Sequence, residues 1–201
     1  MLDFDSLTMI VFAIPLLIIL FINFKQKKAI IEQLFLIVLY IYIVAVLAIT
    51  IFPIPFQKEL LLFLKGGAKG FQPSNNYIPF ESIYNLTKKA PTVFFKQVFG
   101  NILLFAPLGF YLPLVCRKCS KFKHVFFTGL FFSLSIEILQ AAISFVIGFR
   151  YKVFDIDDII LNTIGTILGF ILLLSIRPLL AKFFNVHFLQ QYNKQKKRFN
   201  G

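Results

Sequence analysis

The sequence predicts an all-α fold, a polytopic membrane helix bundle of five transmembrane helices. Two observations carry this reading. The chain of 201 residues is 58% hydrophobic, too apolar for a soluble domain, and its apolar residues gather into runs of spanning length. Its 21 lysines and arginines, which give a net charge of +12, lie mostly between those runs, where membrane topology places them. They do not line a groove that would take nucleic acid, so no nucleic-acid partner is expected.

Span one covers residues 7–24, near the minimum of about 17 residues needed to cross, with a kink expected at Pro15. Asp3 and Asp5 precede it, with no basic n-region or small-residue cleavage site, so it reads as a retained span. After Lys25, Lys27 and Lys28, span two runs over 30–52 and ends at Pro53 and Pro55. The long connection 57–96 holds Gly66, Gly67 and Gly70, then the turn-rich stretch QPSNNYIPFESIYN with interleaved aromatics. A connection of that length carries function or lies along the membrane surface.

Span three, 97–115, contains Asn101, Pro107 and Pro113 and is expected to bend or break. Arg117, Lys118, Lys121 and Lys123 form a basic link. Span four starts near Val125 and ends between Ala142 and Ile147; the shorter helix is favoured, because Ser144 and Gly148 weaken the apolar run. Span five runs over 159–176 and stops before Pro178. Residues 1–180 therefore form one five-span membrane domain. Residues 181–201 form a basic cytoplasmic tail whose KQKKR end is solvated or binds lipid headgroups.

Charge gives the orientation. The short basic links after spans one and three, and the tail, fall on one side of the membrane. Asp3, Asp5, Glu59, Glu81, Asp155, Asp157 and Asp158 fall on the other, with only Glu32 among the bases. The N-terminus is thus expected outside and the C-terminus inside, in a multi-pass cell-membrane protein.

The stretch from Ser133 to Gly169 is where acids enter apolar sequence. Ser133, Glu137, Gln140 and Ser144 form one stripe of a helix, and Asp158, Asn162, Gly165 and Gly169 repeat its spacing on the next. Two such stripes joined by a short link face each other. Gly165 and Gly169 form a small-xxx-small pair, expected to bring span four close, or to join two copies in a homodimer. A carboxylate at mid-membrane costs about 2.5–3.5 kcal/mol on insertion scales, so Glu137 needs a partner or a proton. As packing glue, protonated and bonded to Asn162 or Asn101, it returns only about 0.6–2 kcal/mol, which favours a functional reading.

Whether Arg150 reaches Glu137 depends on where span four ends. A helix continuing to Ile147 leaves the two about 15 Å apart in depth, whereas a shorter helix brings Arg150 within contact. Asp157 and Asp158 suit a helix N-terminus by capping and by the helix dipole. Asp155 with Arg150 and Lys152 exceeds that need. Two aspartates there can hold a divalent cation beside a phosphate-bearing ligand, but the spacing is not diagnostic and no other cofactor is implied.

The elements NILLFAPLGFYLP at 101–113, SLSIEILQ at 133–140 and DIDDIILNTIGTILG at 155–169 with Arg150 ahead of it resemble the VanZ-like family of bacterial membrane proteins, as do NYIPFESI at 76–83 and TIFP at 50–53. The resemblance covers 30–174. It implies a multi-span envelope protein, the founding member being associated with lowered susceptibility to the lipoglycopeptide teicoplanin. By position, the family's polar signature falls on Asn101, Glu137, Gln140, Arg150, Asp155, Asp158 and Asn162. The segments on either side of Arg150 are longer here than in that pattern.

Other signals are weaker. Cys116 and Cys119 give no disulfide framework, and as a metal or redox motif they lack two further ligands or a soluble βαβ setting. His187 is read as interfacial, and GGAKG at 66–70 lacks P-loop spacing. Three functions compete. Glu137, Gln140, Asn162, Asn101 and Arg150 form an outward-facing pocket that holds a lipid-linked envelope component or shields it from a lipoglycopeptide. Alternatively, a hydrolase or transferase acts on a polyprenyl-phosphate substrate, with Glu137 as acid or base, Arg150 as phosphate clamp, and Asp155 and Asp158 as anchors. In the third, the stripes only hold helices together.

Overall fold

The computed structural model describes residues 6–25, 30–67, 74–89, 91–184 and Leu189. They form α1 (Ser6–Lys25), α2 (Ile30–Ile51), α3 (Lys58–Gly67), α4 (Glu81–Lys89), α5 (Pro91–Val115), a 3₁₀ turn (Arg117–Ser120), α6 (Phe122–Ile147) and α7 (Ile156–Phe183). Of these, α2, α5, α6 and α7 are each long and apolar enough to cross a membrane. The 20-residue α1 overlies the expected first span. The architecture is an all-helical membrane bundle. The basic KQKKR tail, His187 and residues 68–70 of GGAKG lie outside the described residues.

Helix α7 is the most buried of the four long apolar helices, and small residues set how closely α5 and α6 approach it. A Cβ on Gly165 would lie 2.3 Å from the carbonyl oxygen of Ile102, and one on Gly169 1.8 Å from that of Ala106. From the other side, a Cβ on Gly109 would lie 1.8 Å from the Thr166 carbonyl oxygen. Backbones this close need glycine. The Gly165–Gly169 pair therefore packs on α5 within the chain, not on α6 as expected. Helix α6 approaches through Gly129, whose added Cβ would lie 2.6 Å from Thr166 Oγ1.

Two apolar clusters fill the bundle. Leu39, Val46, Ile51, Phe105, Leu108 and Ile136 join α2, α5 and α6. Leu114, Val125, Phe170, Leu173 and Leu189 join α5, α6 and α7 at the other end. Side-chain donors tie helices through backbone carbonyls: Tyr42 to Leu104 at 2.6 Å and Gln140 to Thr50 at 2.9 Å. Such ties give each polar group a partner where water is absent.

Several boundaries differ from the expected ones. Helix α6 continues to Ile147 and stops at Gly148, whose φ of 63° takes the left-handed C-cap that glycine adopts without strain. Ser144 does not end it; buried, its hydroxyl donates to the Lys152 carbonyl at 3.2 Å. Helix α7 begins at Ile156, earlier than expected, because Asp155 caps it by accepting from the Asp157 amide at 2.9 Å. It also continues through Pro178 to Phe183, and α5 runs through Pro107 and Pro113 as one helix. Helices tolerate such prolines where packing holds the freed carbonyl. Cys116 and Cys119, expected to be unpaired, are joined as a disulfide. The turn between them, closed by the Cys119 amide on the Cys116 carbonyl at 3.0 Å, brings their Cα atoms to 5.2 Å.

Candidate functional site

Helix α6 ends ten residues beyond Glu137, about 15 Å along its axis. The connection 148–155 then runs back down the same helix. Ser144 holds it at Lys152, the Tyr151 hydroxyl donates to the Ile51 carbonyl at 3.3 Å, and the Asp155 amide donates to Glu137 Oε2 at 3.0 Å. Helix α7 therefore begins beside Glu137, inside the bundle. Burial pushes the Tyr151 hydroxyl up to about 12.

A second stretch of non-helical backbone lies against the first. Asn76 and Asp155 form an isolated parallel bridge, with the Asn76 amide on the Phe154 carbonyl at 2.8 Å and the Ile156 amide on the Asn76 carbonyl at 3.1 Å. The rings of Tyr77 and Phe154 stack beside it at 5.4 Å. Unpaired peptide groups at such a depth are costly, and the buried side chains meet them. Asn76 Nδ2 donates to Asp155 Oδ1 at 2.8 Å and to Asp157 Oδ2 at 3.3 Å. Asp157, fully buried, accepts from the amides of Phe80 and of Ile83, the latter at 3.2 Å, and so caps α4 from another helix. Phe80 itself sits at φ 68°, a conformation that non-glycine residues seldom adopt.

The expected site residues separate into three groups. Glu137, Asp155, Gln140 and Asn162 are buried and directed inward. Asn162 donates to Ser133 Oγ at 2.8 Å, so α6 and α7 meet at this pair, while its Oδ1 is buried with no hydrogen-bond partner. Asp158, one turn earlier, turns toward α5. Its Oδ1 accepts from Asn101 Nδ2 at 2.6 Å and from Gln97 Nε2 at 3.1 Å. Arg150 stands apart from both groups. It is exposed and lines a cavity of about 460 Å³ with Asn75, Ser144, Gly148, Phe149 and Lys152.

Glu137 and Arg150 are thus not brought together: the longer α6 separates them, and a backbone amide takes the place expected for the guanidinium. Sequence reasoning missed Asn76, Asp157 and Gln97 as site residues. Asn76 was visible only as part of NYIPFESI, and Gln97 lies one helical turn before Asn101. Among the described residues, no group of three or more His, Cys, Asp or Glu is arranged to hold a metal.

The arrangement has a polar, cation-lined cavity at the α6–α7 connection and a carboxylate lattice beneath it that fixes the connection in place. A family model described as VanZ/LLP1 matches residues 39–179. No curated protein and no solved structure matches the chain.

Proposed function

We propose that this chain, which belongs to the VanZ-like family, binds the anionic headgroup of a lipid-linked component of the bacterial envelope. Shielding that component lowers susceptibility to lipoglycopeptides of the teicoplanin type. The observation that carries this reading is the pairing of Arg150 with Lys152 around one cavity of about 460 Å³ whose other polar groups are Asn75 and Ser144. A guanidinium and an ammonium around one space suit a phosphate, the first by its planar donor fork and the second as a mobile point charge. Phe145, 87% exposed, lines the same cavity, and Val146, 82% exposed, follows it in α6. Both are apolar surface against which a lipid chain can lie. The bundle is oriented with this end outward, as the distribution of lysine and arginine supports.

In this reading the buried acids do not touch the ligand. Glu137 holds the connection that carries Arg150 and Lys152 by its bond to the Asp155 amide, while the Asp155 side chain caps α7 and Asp157 holds the segment before α4. The reading is tested with purified protein and a polyprenyl phosphate, against the corresponding polyprenol. Saturable binding of the phosphate, lost with the alcohol and weakened in R150Q/K152Q, is expected. Equal binding of phosphate and alcohol counts against it. Release of inorganic phosphate moves the reading to the hydrolase alternative.

A further inference from the structure

At the opposite end of α6 lies a second concavity that the proposed headgroup site does not involve. Its volume is about 620 Å³, and it is lined by Lys123, His124, Phe127, Thr128, Phe131, Phe132 and Ser135. We propose that it binds an anionic phospholipid, with the headgroup at Lys123 and His124 and one acyl chain along the phenylalanines.

Charge is confined to one end of the concavity. Lys123 and His124 are exposed in the first turn of α6, with exposed Lys118 and Lys121 just before them. The first-turn amides of α6 have no side-chain cap, which adds positive partial charge at the same point. The far end is apolar in effect, since the Ser135 hydroxyl turns back onto the Phe131 carbonyl at 2.6 Å. Between the two ends, the rings of Phe127 and Phe131 stack at 6.0 Å and stand 48% and 60% exposed.

Length fits as well as charge. From Lys123 to Ser135 the helix rises about 18 Å at 1.5 Å per residue. One leaflet of a hydrocarbon core about 30 Å thick is about 15 Å deep. The concavity therefore runs from a headgroup layer to the bilayer midplane, the path of a single acyl chain. Clustered bases at a membrane surface select anionic over zwitterionic headgroups.

The test is native mass spectrometry of the full chain incubated with phosphatidylglycerol or phosphatidylcholine of identical acyl chains. Phosphatidylglycerol is expected to be retained preferentially. K123Q is expected to weaken that retention about fivefold, the effect of one lysine near an anionic headgroup. The charge-matched control K58Q, in α3 near the other end of the bundle, is expected to leave it unchanged. F127A/F131A, which removes only exposed rings, is expected to lower retention of phosphatidylglycerol with the protein still folded. Equal retention of the two lipids by the unaltered chain, or equal losses in K123Q and K58Q, overturns the proposal.

Discussion

Glu137 Oε2 accepts a hydrogen bond at 3.0 Å from the backbone amide of Asp155, 18 residues further along the chain. That contact joins the middle of one apolar helix to the N-cap of the next, and the returning connection between them carries Arg150 and Lys152. A buried acid inside a span here supports backbone, which is what non-helical chain at that depth requires.

The first consequence concerns substitutions of Glu137. In E137Q the amide oxygen still accepts from Asp155, so the melting temperature in detergent is expected to stay near that of the unaltered protein. In E137L the buried Asp155 amide is left unpaired, at a cost of about 1–3 kcal/mol. E137L should therefore melt clearly lower than E137Q. Equal melting of the two variants removes the supporting role.

Asp157 fastens the segment before α4. D157A removes the acceptor for the amides of Phe80 and Ile83 and a partner of Asn76. Amide hydrogen exchange across residues 76–83 is expected to accelerate strongly, with exchange in the middle of α5 little changed. Unaltered protection at Phe80 and Ile83 would falsify the cap.

The glycines of α5 and α7 differ sharply in what they tolerate. G169A forces a methyl against the Ala106 carbonyl, and overpacking of this kind costs about 1–3 kcal/mol. An added Cβ on Gly100 meets nothing within 4 Å, so G100A should be neutral or stabilising by up to about 1 kcal/mol from helix propensity. Melting of the two variants side by side measures the contrast.

Much of this was legible in the sequence. Apolar runs marked the four helices long enough to cross a membrane, though not α3 and α4, and the end of α2 fell within one residue of its expected place. Of the stripes on α6 and α7 expected to face each other, Ser133 and Asn162 do meet, whereas Asp158, Gly165 and Gly169 turn to α5. The returning connection was not legible. It depends on Asn76 meeting Asp155 across 79 residues, a pairing no local pattern encodes. Ser144 and Gly148 looked like equal interruptions of span four. Only Gly148 ends the helix, because only it can take the left-handed cap, while a serine bonded to a returning carbonyl sits comfortably in a helix. The partner of Gly165 and Gly169 was likewise undetermined, since a small-residue stripe marks a close approach without naming the neighbour.

Tyr151 supplies a pH dependence. Its ordinary value is 10.0, and burial raises it to about 12 in the folded chain. The neutral hydroxyl is thus the form the fold favours. Its contribution is fully present below pH 10 and is lost as the pH rises toward 12, where ionisation removes the proton donated to the Ile51 carbonyl. Between those values the unaltered protein should lose stability that Y151F retains. Parallel losses in the two proteins would show that Tyr151 is not the group responsible.

The division of labour between inward acids and outward cations is tested most directly by titrating a polyprenyl phosphate into E137Q and R150Q, each confirmed to be folded. E137Q is expected to bind as the unaltered protein does, and R150Q to bind about tenfold or more weakly, as loss of a charge-assisted contact of about 1.5–3 kcal/mol implies. Binding abolished in E137Q and kept in R150Q would contradict the account and place the ligand against the buried carboxylate.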